Sequence, residues 1–137
     1  MARIYNYTVY ANIHWLNTGL VLDGMAAVAI AAVGGQWTAN PGTGMVGPDG
    51  NPDHLAKDGY TLPGAAEGLL VGYIGSAPPP PGAAPPGVFA IGRGKMLPAG
   101  AKGVLYLAIN DDIPALYGSG FADNEGTIQV KVTVTAC

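Results

Sequence analysis

The stretch running from Asn110 to Glu125 is the part of the chain best equipped for chemistry. It holds four of the nine acidic residues, Asp111, Asp112, Asp123 and Glu125, with the amides of Asn110 and Asn124 beside them. Gathering carboxylates in a weakly charged protein is costly unless a cation neutralises them. No cysteine or histidine falls within the stretch, so its donors are oxygen atoms. That donor set selects a hard cation, and an irregular loop able to lend carbonyls suits Ca²⁺ better than octahedrally strict Mg²⁺. The spacing is not that of an EF-hand. Asp and Asn also cap turns routinely, which accounts for the same residues without a metal. A third reading is a glycoside hydrolase working through Asp111 and Asp123 as paired carboxylates. Residue types alone leave all three open.

Other reactive side chains are sparse. His54 ends a long Gly/Pro/Asn-rich stretch as Pro52-Asp53-His54-Leu55-Ala56-Lys57, whereas His14 lies between two predicted strands and reads as structural or exposed. Serine occurs only at 76 and 119, and no Gly-x-Ser-x-Gly elbow is present. The single cysteine, Cys137, rules out an internal disulfide framework and a cysteine-based zinc cluster. Six cations against nine acids give a net charge of -3, and Arg3, Lys57, Arg93, Lys95, Lys102 and Lys131 are scattered. A phosphate-backbone binder needs a basic stripe, so nucleic acid is excluded as a partner. The longest apolar run, Met25 to Val33, is far short of the roughly 20 residues that span a bilayer, and membrane insertion is not expected. The opening residues lack the apolar core of a secretory signal. Synthesis in the cytoplasm is the expectation, with any release to the cell surface or outside using another route.

These groups must be positioned by strands. Of 137 residues 49% are hydrophobic and only 11% charged, with 22 Gly and 12 Pro. Such a chain can offset its ordering entropy by burial while turning often. Gly126–Thr135 alternates Ile128, Val130, Val132 and Val134 with polar residues, the period of a strand with one wet face. Val104–Asn110 and Gly68–Gly75 are nearly continuous apolar runs and read as central strands, with Gly72 marking a close approach or bulge. Tyr5–Tyr10, Gly19–Leu22 and Gly87–Gly92 are shorter candidates. Met25–Val33 is alanine-rich but lacks polar positions at helical spacing, and turn pairs at Asp23-Gly24 and Gly34-Gly35 bound it, which favours a strand. Asn40–Asp53 reads as a long irregular connection and Ala77–Pro86 as a stiff polyproline surface loop. The sum is one all-β domain over residues 1–137, a small β-sandwich of jelly-roll type. The acidic stretch then joins two strands, so that Asp111 or Asp112 faces Asp123-Asn124 across the loop.

Several pieces, taken in order, resemble a family. Gln36-Trp37, Gly47-Pro48-Asp49-Gly50, His54, Gly68–Gly75, Leu105–Asp111, Asp123–Gly126 and the alternating terminal strand are similar in order and approximate spacing to the LecA-type (PA-I) bacterial galactose-binding lectins, from about Val9 to Val134. The resemblance implies a β-sandwich without signal peptide, assembling as a homotetramer and binding D-galactose and terminal galactosides without enzymatic activity. One Ca²⁺ would sit in the loop before the last strand and bridge two sugar hydroxyls.

Carried over position by position, the implied metal ligands are Asp111, Asp123 and Asn124, with the carbonyls of Asn40 and Leu116. Anchoring on Ile113-Pro114 and Tyr117-Gly118 would select Asp112 in place of Asp111; strand register favours Asp111. The implied sugar contacts are His54, Lys57, Asp111, Asp112 and Asp123. This chain departs from the family pattern in three places. One of two adjacent amide ligands is the carboxylate of Asp123, Lys57 replaces a glutamine, and the acidic loop is four or five residues longer through Ser119-Gly120-Phe121-Ala122. Phe121 is expected to wall or to cover the sugar pocket. The alternative implied by these departures is a module of the same fold with structural Ca²⁺ and altered or absent sugar binding.

Overall fold

The computed structural model describes residues 2–79, 82–115 and 120–136. Among these residues nine strands lie in chain order: β1 (Ala2–Tyr10), β2 (Leu16–Asp23), β3 (Ala27–Thr38), β4 (Asp49–Leu55), β5 (Ala66–Gly75), β6 (Phe89–Ala90), β7 (Gly94–Met96), β8 (Lys102–Ile109) and β9 (Glu125–Thr135). One antiparallel sheet runs β1-β9-β3-β7; the other runs β2-β8-β5-β4, with β6 also paired to β5. The expected all-β sandwich is what forms.

The two sheets share one core. From β9 the alternating Ile128, Val130 and Val132 point inward, and from β8 Leu105, Leu107 and Ile109 meet them. Each such side chain contributes about 1.5–3 kcal/mol on burial. The other face of β8 is covered too, since Ala108 packs with Leu69 and Val71 beneath Trp15, Leu62, Ala65, Ala66 and Val88. A strand buried on both faces has no polar side to show. This is why its sequence is continuously apolar where that of β9 alternates.

Three expectations change. Gly34-Gly35 does not end the alanine-rich strand, because β3 continues to Thr38 across a register shift between Ala32 and Gly34. Gly35 adopts φ +98°, and a β-carbon there would run into the Thr127 carbonyl, so the glycine serves a bulge rather than a turn. The extension carries Trp37 into the core, where its Nε1–H donates to the Gly68 carbonyl at 2.7 Å and ties the two sheets together. The 40–53 stretch is not wholly irregular: a 3-10 turn at Pro41–Thr43 precedes β4. As an edge strand β4 is mostly exposed and tolerates Pro52, so neither alternation nor a proline-free run announces it. Finally, only two residues of Gly87–Gly92 are strand, and β7 is a three-residue edge piece with no apolar pattern.

Candidate functional site

The acidic stretch leaves β8 in one sheet and returns as β9 in the other, so its two ends meet at the same end of the sandwich. The contact is direct. Asn124 Nδ2 donates to Asp111 Oδ2 at 2.7 Å and to the Ala11 carbonyl at 2.8 Å, while Asp111 Oδ1 accepts from the Asp112 backbone N–H at 2.7 Å. Those two donations fix the orientation of the Asn124 amide. Its Oδ1 is left buried and accepts no hydrogen bond from the described residues. A buried acceptor without a donor is a costly arrangement in any fold, and a bound cation is one way to satisfy it.

A second loop braces the first. Asn110 is fully buried, and its side chain accepts from Leu62 N–H at 2.8 Å and donates to the carbonyls of Leu62 and Ala66 at 2.9 and 3.1 Å. Thr61 donates its N–H to the Asp111 carbonyl, and its hydroxyl reaches the carbonyls of Ile109 and Asp111. Tyr60 bridges to Asp112 and donates its hydroxyl to Glu67 Oε2 at 2.6 Å. The 56–65 segment between β4 and β5 is thereby clamped onto Asp111 and Asp112. Burial, and then the bond to Glu67, hold the Tyr60 hydroxyl above its ordinary range, so it stays protonated as a donor.

Asp111 lies at 3% exposure, and burial pushes its carboxyl up to about 7. The two donated hydrogen bonds oppose that shift, while the charges of Glu67 and Asp123 add to it. The folded protein therefore keeps a proton that the unfolded chain releases above about pH 4. In chelator, stability is expected to fall as pH climbs from about 4 to 7 and then to level off. Melting temperatures across that window check it, with Asp111→Asn flattening the slope; a rise for the wild type would contradict the assignment.

The other expected ligands and contacts stand in different settings. Asp123 is exposed next to Asn124. Asn40 caps the 3-10 turn with its side chain, and its carbonyl accepts from both the N–H and the hydroxyl of Thr43, at 2.9 Å each. Those bonds would have to yield for the carbonyl to serve a metal. Leu116 lies outside the described residues. His54 and Lys57 are both exposed, one at the end of β4 and the other in the clamped segment. Phe121 is neither an open wall nor a flap over solvent. It is 4% exposed in the main core, with its ring 4.3 Å from that of His14. His14 is itself exposed, as expected.

Among the described residues no group of three or more His, Cys, Asp or Glu side chains gathers at metal-binding distance. The oxygen donors that do converge are those of Asp111 and Asn124. A cation here would take the remainder from Asp123, carbonyls and water, a mixed oxygen set suited to Ca²⁺. Sequence reasoning missed Glu67, Tyr60 and Thr61. A charged residue immediately before the apolar run of β5 was the available signal for the first.

No family model matches this chain, and no curated protein matches it. Among solved structures it is similar to one described as the EclA N-terminal domain, a PllA-like lectin. The TM-score is 0.61 at 20% identity, with 95% of each chain covered. The likeness establishes a shared fold.

Proposed function

We propose that this protein is a calcium-dependent lectin that binds D-galactose and terminal galactosides and catalyses no reaction. The observation that carries the reading is the Asn124 Oδ1, buried and without a donor among the described residues, on a side chain whose Nδ2 donates to the buried Asp111. Asp111, Asp123 and Asn124 would hold the ion through side chains, with carbonyls of Asn40 and Leu116 completing the set. When bound, Ca²⁺ supplies open coordination positions for two adjacent sugar hydroxyls.

The chain's own residues do the rest. Both oxygens of Asp111 accept from N–H donors and retain lone pairs for a cation. Asp123, exposed, and Asp112, buried, would accept from sugar hydroxyls. His54 and Lys57, both exposed, would read the exocyclic hydroxyl. One shallow site gives an affinity between roughly micromolar and millimolar, about 4–8 kcal/mol. Assembly as a homotetramer would raise avidity on a dense glycan surface by about 10²–10⁴.

Retention on a galactose column in Ca²⁺, with elution by chelator, tests the reading; passage straight through in both conditions would defeat it. Thermal stabilisation by Ca²⁺ with no retention would instead identify the ion as a structural staple. His54→Ala is expected to weaken methyl galactoside binding about three- to tenfold while leaving calcium affinity unchanged. Unchanged sugar affinity in calorimetry would remove His54 from the site.

A further inference from the structure

Beside the acidic knot lies a cleft of about 390 Å³ whose walls include His14, Trp15, Asn17, Pro78, Tyr106 and Ile113. The volume falls in the range of roughly 300–1,000 Å³ typical of small-molecule sites. Its floor is aromatic and braced. The Trp15 and Tyr73 rings lie 6.0 Å apart at 55°, and Tyr73 lies 6.1 Å from Tyr106 at 38°. Rings tilted against one another in this way brace the indole before any ligand arrives. Polar groups converge there as well. Among the described residues, neither the Trp15 indole N–H nor the Asn17 amide NH₂ donates to a protein acceptor.

The cleft is joined to the acidic knot twice. Ile113 follows Asp112 directly, and adjacent Cα atoms are about 3.8 Å apart. On the other side, the turn carrying His14 and Trp15 begins at Ala11, whose carbonyl accepts from Asn124. His14 further stacks on Phe121, two residues before Asp123.

We propose that this cleft is a second saccharide subsite, taking the pyranose ring that follows a terminal galactose. The inference rests on the galactose reading above. A pyranose has an apolar face of C–H groups edged by hydroxyls, which complements an aromatic floor with N–H donors at its margin. Pro78 and Pro79 line one side, each with its φ fixed by its ring.

Calorimetry in Ca²⁺ with methyl galactoside and with two galactose-terminated disaccharides, β1→4 and α1→6 linked, tests this. At least one disaccharide is expected to bind about three- to tenfold more tightly than the monosaccharide. Trp15→Ala should abolish that preference and leave methyl galactoside affinity unchanged. Asn17→Ala, at an exposed position, should reduce the preference without touching the aromatic packing. Equal affinities for all three sugars in the wild type, or a preference that survives in Trp15→Ala, would overturn the subsite alone. If no galactoside binds at all, the subsite and the galactose reading fall together.

Discussion

Asn110→Ala is expected to lower the melting temperature by about 10 °C, a loss of about 3 kcal/mol. Asn110 sits where β8 ends, fully buried, and its three side-chain hydrogen bonds all go to the 61–66 backbone. Each bond contributes about 1 kcal/mol net, and truncation also strips partners from a Leu62 N–H and two carbonyls. The damage would not stay local. Leu62, Ala65 and Ala66 cover the outer cluster of Leu69, Val71 and Ala108, and Thr61 holds the Asp111 carbonyl. Releasing that segment wets the second face of β8 and loosens the framing of Asp111. Thermal denaturation in chelator measures it; a drop under about 3 °C would show that water replaces the amide without cost.

Asp123→Ala should produce the opposite dissociation, with folding intact and binding gone. The side chain is exposed and belongs to no cluster of the core, so stability in chelator should change by less than about 0.5 kcal/mol. Calcium affinity is expected to fall at least about a hundredfold, because the variant removes a charged donor from a site with few others. Galactoside binding should disappear with it. Calcium calorimetry on the wild type and the variant checks both. Equal calcium affinities would place the ion elsewhere or nowhere in this loop.

Much of this was legible in residue order. The alternation of Ile128, Val130 and Val132 announced β9, and the acidic stretch was expected to bring Asp111 or Asp112 opposite Asp123-Asn124; Asp111 and Asn124 are the pair that meets, at 2.7 Å. The edge strands were not legible. β4 carries Pro52 and buries little, and β7 is too short to show a period. Gly34-Gly35 misled because glycine pairs mark bulges as well as turns, and only the partner strand decides between them. Glu67 and Tyr60 escaped because their pairing depends on a loop folding back across two strands. The Asn40 carbonyl, inferred by resemblance, turns out to be engaged by Thr43, a local bond that counting along the chain cannot anticipate.

The most direct test is a crystal grown in excess Ca²⁺ and methyl galactoside. The account predicts an ion about 2.3–2.6 Å from Asn124 Oδ1 and from an Asp111 oxygen, itself contacted by two adjacent sugar hydroxyls. Water alone beside Asn124, or a galactoside bound with no ion between it and the acidic loop, would contradict it.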